Sequence, residues 1–304
     1  MRIGIDIGGT KTDAVIVDDS LVVRQHLRRP TGRGNVAVVD GAERIVRDLL
    51  DGVGATTGEV EQIGVGIPGV VDELTGRVRH AVNIGVAELE LAAILGARLS
   101  IPVVVGNDVN AAALGASHLL DLHVPTAFLN LGTGLAAGLV VDGRVWRGAR
   151  GGAGEIGHIP VDPSGALCPC GQRGCLETMA SGSALARLWP TDAALPAVDL
   201  FERAEAGQQN AVAVRETVVT GVASAVRVLL LSTDVETVII GGGLSNLGER
   251  LMRPLRETFE RWGRTSPFLD SLDLSSRVRL LPPESPAAAL GAALLDLRPL
   301  ASAI

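Results

Sequence analysis

Tyrosine is absent from this 304-residue chain, and four phenylalanines and three tryptophans are its only aromatic residues. Without large rings, the core has to be filled by Val, Leu, Ile and Ala. Long apolar runs are missing too: none reaches the roughly 18 uncharged residues that a membrane-spanning helix needs. The opening MRIGIDIGGTK carries Asp6 and no extended apolar segment, so it does not read as a signal peptide. A cytoplasmic, reducing setting is the matching expectation. Cysteine is scarce, with three residues all between positions 168 and 175, which in that setting points to metal and not to disulfides. There is no basic excess either. The net charge of −7 argues against a broad nucleic-acid face, while leaving room for a phosphate held locally by loops or helix ends.

What is present is a 47% hydrophobic, 20% charged composition, that of a packed globular protein. The length suits two domains sharing a cleft. The 38 glycines follow no collagen period and cluster as turns and close backbone approaches do. Alternating residues predict a meander of strands over residues 1–28, broken by GGTK and DDS. Helical spacing follows over 36–51, a strand at Ile63–Ile67, a helix over Ala87–Leu99, a short strand at Pro102–Val105 and an Ala-rich helix over Val109–Leu119. A second meander comes next, TAFLNLG, GLVVDG and RVWRG. Residues 151–177 are too rich in Gly, Pro and Cys to be regular. Helices interrupted near Pro190 and Pro196 run to Leu231, then a strand with a glycine turn at ETVIIGGGLS. A helix at Arg250–Trp262, a strand at Val278–Leu281 and a helix at Ala287–Leu297 complete the chain.

Ile7–Asp18 aligns without gaps onto Leu131–Asp142, each an apolar residue, a small Gly/Thr turn and an apolar strand ending in Asp. Two unrelated glycine hairpins could look alike. The other reading is a duplicated domain whose two turns grip opposite ends of one phosphate chain.

Three segments carry chemistry. Asp6 with Gly8-Gly9-Thr10-Lys11-Thr12 reads either as an ordinary hairpin turn or as an anion site, with backbone N–H groups, a hydroxyl and an ammonium as donors and Asp6 holding a magnesium-bound water. It is not a Walker A sequence. Asn107-Asp108 follows a strand and opens a helix. It reads as an N-cap, or as a base for an attacking hydroxyl with Asn107 holding a neighbouring hydroxyl through donor and acceptor groups. His158, Cys168, Cys170 and Cys175 have the spacing of a closed structural zinc site, with a Cys168–Cys175 disulfide as the alternative. Gly64–Gly69 satisfies GxGxxG, but Pro68 and a VDELTG turn follow where a dinucleotide fold needs a helix.

In this order the motifs resemble the ROK family of sugar kinases and repressors, within the actin-like, hexokinase-like ATPase superfamily. The resemblance runs the whole length: DxGGTK at Asp6–Lys11, a second phosphate turn at Gly132-Thr133-Gly134, CxCGxxGCxE at Cys168–Glu177 and an adenosine-side turn through Gly242 and Gly243. Ala136-Ala137 departs from it, where many members carry glycines. It implies an α/β protein of two ribonuclease-H-like (actin-like ATPase) domains with a cleft, here 1–108 plus 288–304 and 109–287, the second carrying the zinc loop. It also implies Asp108 as catalytic base, and a hexose contacted by Gly69, Asn83, Asn107, Asp108, Glu155, His158 and Glu177. His158 would serve zinc with one nitrogen and the sugar with the other. Asn83 is the weaker match, because Gly85-Val86 stands where many members carry Trp. The expected activity is transfer of phosphate from ATP, with Mg2+, to O6 of glucose. Fructose, mannose, N-acetylglucosamine and N-acetylmannosamine are the alternatives. Structural Zn2+, no nucleic-acid or membrane partner, and a homodimer or higher homo-oligomer complete the expectation. A sugar-responsive repressor would need a helix-turn-helix segment before the DxGGTK turn, which here begins at residue 6. A silent sugar-binding module would not need both phosphate turns and Asp108.

Overall fold

The computed structural model describes residues 1–296. It divides into two compact units, Met1–Leu122 with the chain from Glu284 onward, and His123–Pro283. The first unit thus keeps the helix after Asp108, beyond the expected boundary, because that helix packs on the closing helix of the same unit.

The first unit begins with strands β1 (Arg2–Ile7), β2 (Lys11–Val17) and β3 (Val23–Pro30), helix α1 (Asn35–Val53) and β4 (Gln62–Ile67). A small three-stranded sheet follows, β5 (Val70–Asp72), β6 (Arg77–Ala81) and β7 (Val86–Glu90). Then come α2 (Leu91–Leu99), β8 (Val103–Asn107) and α3 (Asp108–Leu119). The main sheet has the order β3-β2-β1-β4-β8, the first three strands antiparallel and the last two parallel to β1. Every residue of β4 is buried, whereas edge strand β3 buries none fully, as the continuous and alternating patterns require. Helix α1 lays Val38, Val39, Ala42, Ile45, Val46, Leu49 and Leu50 into the core and stops at Gly54, whose φ of 67° closes the last turn.

The helix expected over Ala87–Leu99 begins only at Leu91. Residues 86–90 instead pair antiparallel with β6, Ala81 opposite Val86 and Arg77 opposite Glu90. A strand partner overrides the helix preference of Ala, Leu and Glu there. The closing helix spans Ala287–Ala293 and ends at its C-cap Leu294, so Leu294–Asp296 do not continue it as expected, and position 297 lies outside the described residues.

That closing helix explains glycines that the sequence gives no reason to separate from turns. A Cβ on Gly4 of β1 would stand 1.9 Å from Ala289 O, and one on Gly64 of β4 1.7 Å from Ala292 O. On α3, a Cβ at Gly115 would stand 1.9 Å from Ala287 O, and one at Gly291 1.7 Å from Ala111 O. Sheet, closing helix and α3 therefore meet backbone to backbone, and α3 starts at Asp108 with its far end locked.

The second unit holds β9 (Thr126–Leu131), β10 (Leu135–Val141), β11 (Arg144–Val145), α4 (Gly182–Leu188), α5 (Pro196–Glu205), α6 (Gln209–Thr233), β12 (Thr237–Gly241), α7 (Glu249–Thr265) and β13 (Val278–Leu280). Its sheet order is β11-β10-β9-β12-β13, with β9, β10 and β11 antiparallel and β12 and β13 parallel to β9. That is the order and direction of the first sheet, so the echo between residues 7–18 and 131–142 is a repeated topology and not chance. The match does need a gap. Ile7 pairs with Thr12 across a four-residue turn, whereas Leu131 pairs with Leu135 across three.

Candidate active site

In the first unit, β1 delivers Asp6 to the start of the Gly8–Lys11 turn, which Gly8 N closes by donating to Lys11 O at 2.9 Å. Thr10 and Lys11 are exposed, and Lys11 is the only lysine in the sequence, all other members of the 27 Lys+Arg being Arg. An ammonium is a compact point charge, so a single Lys among arginines marks a place where a phosphate oxygen is a fitting partner. Thr12 is turned inward instead, its hydroxyl paired with Thr31 Oγ1 at 2.9 Å. Across the sheet, Asp6 lies beside Gly66 and Gly66 beside Gly106. A Cβ on Gly66 would approach Ala111 Cβ at 3.2 Å and Asp6 Oδ1 at 3.7 Å, so the glycine leaves space for the carboxylate. Burial, and then the charge of Asp108, push the Asp6 carboxyl up to about 8. Two acids held this way attract a cation, which fits Asp6 to a magnesium-bound water.

The Asn107-Asp108 pair divides its two readings between its members. Asn107 is the N-cap of α3: its Oδ1 accepts from Val109 N at 2.9 Å and Asn110 N at 3.2 Å. With that oxygen taken up, only the Nδ2 donors remain for a ligand, which corrects the expectation that Asn107 offers both groups. Asp108 is the first helical residue, its Oδ1 accepting from Val109 N at 2.9 Å, at the positive end of the helix. Gly69, with φ of 98°, approaches Arg79 O so closely that a Cβ would come within 2.6 Å. Asn83 is exposed, and its Nδ2 sits 3.4 Å from where a Cβ of Gly9 would be.

In the second unit, the Gly132–Gly134 turn is held by α4, Gly182 N donating to Gly132 O at 2.8 Å and Ser183 N to Thr133 O at 3.1 Å. Gly242, with φ of 81°, passes so close to this turn that its Cβ would stand 2.6 Å from Leu131 O. Glu177 Oε2 accepts from Leu135 N at 3.0 Å, which ties it to the same turn. Glu155 is exposed and leads into a 3-10 turn, Ile156–His158. One polar side chain here is not among the expected residues. Asn130 lies between the two turns, its amide 3.3 Å from a Cβ on Gly132 and 2.7 Å from one on Gly242. Extending the internal echo back one residue would have found it, aligned with Asp6 in sequence.

His158, Cys168, Cys170 and Cys175 bring their donor atoms within 4.8 Å of one another. Cys168 Sγ lies 3.7 Å from His158 Nδ1, and Cys170 Sγ 3.7 Å from Cys175 Sγ. Zinc–sulfur bonds of about 2.3 Å in a tetrahedron give sulfur–sulfur edges of about 3.8 Å, so the donor set fits a closed zinc site. All three cysteines are free thiols here, with no bond between Cys168 and Cys175. Burial pushes the Cys175 thiol up to about 12, while the backbone N–H of Gln172 draws Cys170 down to about 6. Because Nδ1 faces the sulfurs, His158 keeps Nε2 for another partner.

The ROK family model matches residues 2–297. A glucokinase from Halalkalibacterium halodurans is 32% identical over 281 residues, 86% of this chain and 85% of that protein. An N-acetylmannosamine kinase from Citrobacter koseri is 31% identical over 245 residues, 80% of this chain and 83% of its own. Among solved structures, a glucokinase of the same family from Streptomyces griseus, in complex with glucose and AMPPNP, superposes with a TM-score of 0.75 at 32% identity, covering 96% of this chain and 97% of its own.

Proposed function

This chain belongs to the ROK family, and on that footing we propose that it is an ATP-dependent hexose kinase acting on O6 of glucose. The observation that carries the reading is Asp108 at the first turn of α3, directly after the N-cap Asn107, in a chain that also holds both glycine turns. Asp108 takes the O6 proton as O6 attacks the γ-phosphorus. The O6–phosphorus bond forms, the bond to the bridging oxygen breaks, and ADP leaves with its electron pair. Gly8–Lys11, Gly132–Gly134, Gly242 and Gly243 supply backbone N–H groups for the nucleotide, and Lys11 adds charge on the phosphates. Asp6 would hold a water of the magnesium that accompanies ATP, and that ion would supply charge neutralisation at the phosphates.

Gly69, Asn83, Nδ2 of Asn107, Glu155, His158 and Glu177 contact the sugar in this reading. His158, Cys168, Cys170 and Cys175 would hold a structural zinc, which would fix the loop that carries three of them and leave His158 Nε2 for the sugar. Metal analysis of the purified protein is expected to return one zinc per chain; much less than one removes the zinc from the account. The resemblance further leads to a cytoplasmic homodimer.

A panel of hexoses with Mg-ATP in a coupled ADP-release assay tests the function. Glucose is expected to give the highest kcat/KM, ahead of fructose, mannose and N-acetylglucosamine. The similarity to an N-acetylmannosamine kinase makes that sugar the second reading and an essential arm of the panel. Turnover of none of them refutes the proposal.

A further inference from the structure

The segment Thr31–Asn35, between β3 and α1, touches two parts of the first unit that are far apart in sequence. On one side it meets the Gly8–Lys11 turn: Thr31 N donates to Thr10 O at 3.0 Å, and the Thr31 and Thr12 hydroxyls pair at 2.9 Å. On the other it pins the Asn83 segment at three points in succession. Arg33 Nη1 donates to Asn83 O at 3.0 Å, Gly34 N to Ile84 O at 2.8 Å and Asn35 Nδ2 to Glu88 O at 2.7 Å. Asn83 in turn rests against Gly9. The conformation required is specific, with Gly34 at φ of 83° and Gly85 at 72°, and a Cβ on Gly85 would already stand 3.4 Å from Gly34 N.

A short chain with a glycine on either side of an arginine has few apolar contacts to hold it, so these hydrogen bonds set its shape. Arg33 is exposed, and its guanidinium reaches the backbone of Asn83 itself. A guanidinium donating to a carbonyl is charge-assisted, and it fixes the plane of the peptide that carries the Asn83 side chain.

We infer that Thr31–Asn35 is a strap coupling the phosphate turn to the sugar-contacting segment, with Arg33 as the positioning residue for Asn83. The inference rests on the assignment of Asn83 to the sugar in the proposed function. The strap keeps the Asn83 amide over Gly9, so that sugar and nucleotide groups of this unit stay in register. Losing Arg33 loosens sugar binding and leaves the nucleotide turn, held by Thr31, in place.

The test is steady-state kinetics on the full protein with glucose and Mg-ATP, together with thermal unfolding. Arg33→Ala is expected to raise the glucose KM about fivefold, with the ATP KM and kcat within about twofold, the size of one charge-assisted bond at a partly wet site. Arg33→Lys, which keeps a donor, is expected to recover most of that loss. In an Asn83→Ala background, which itself raises the glucose KM, Arg33→Ala should add nothing. An unchanged glucose KM for Arg33→Ala, a fivefold effect that persists in the Asn83→Ala background, or a lowered Tm without a KM change each overturns the strap while leaving the kinase reading intact. An Asn83→Ala protein with wild-type glucose KM overturns the Asn83 assignment and the strap with it.

Discussion

Asp108→Asn is expected to lower kcat about 1,000-fold while leaving the glucose Kd within about threefold, the loss typical of removing a general base from its proton. The substitution is nearly isosteric. The amide oxygen of the new Asn can still accept from Val109 N, as Asp108 Oδ1 does now, and the cap of α3 is untouched because Asn107 makes it. A second consequence follows from the charge. After burial, the charge of Asp108 is the largest influence raising the Asp6 carboxyl, so its neutralisation lets Asp6 ionise more readily. A fall in kcat therefore cannot be laid to a weakened Asp6. Single-turnover kinetics and glucose calorimetry on the same preparation separate the two quantities. A kcat near that of the wild type contradicts Asp108 as the base, and a lost glucose affinity would move it to a binding role.

Gly115→Ala is expected to cost about 3 kcal/mol of stability, a large fraction of the 5–15 kcal/mol that holds a typical domain. The added Cβ would meet Ala287 O at 1.9 Å and Gly291 N at 2.6 Å, and these are backbone atoms that no side-chain rotation can move aside. Either α3 or the closing helix has to shift, and α3 carries Asp108 at its start. Gly41→Ala supplies the opposite sign. Gly41 lies within α1, has no atom within 4 Å of its ideal Cβ and has an ordinary φ, so alanine there is expected to gain up to about 1 kcal/mol from helix propensity. Denaturant midpoints of the two variants check the pair. Equal and small shifts would mean that the α3 contact yields more easily than its backbone distances imply.

The parts of this molecule that could be read from sequence are those in which the chemistry is local. His158, Cys168, Cys170 and Cys175 fall within 18 residues of one another, and thiols at that spacing have few other uses. The domain duplication was legible through an echo, but only as an alternative to coincidence, because a glycine hairpin is common. Asp108 was legible only through the ordered set of motifs, since an Asn-Asp pair before a helix looks like a cap, and half of it is one. Other features depend on partners far along the chain. Arg33 reaches Asn83 fifty positions away, and Gly4, Gly64 and Gly115 are explained by a helix that starts at Ala287. Ala87–Glu90 was misread because β6, its partner, is itself a strand of five residues with little pattern of its own. Asn130 was one residue outside an alignment that stopped at Leu131.

The most direct measurement is to mix the protein with Mg-ATP and glucose and follow phosphorus by NMR. The account predicts that the ATP γ-signal is replaced by a sugar phosphomonoester on O6 with one ADP formed per ester, and that ATP persists when glucose is left out. Inorganic phosphate appearing at the same rate with and without sugar, or ATP unchanged in the presence of every hexose, would contradict it.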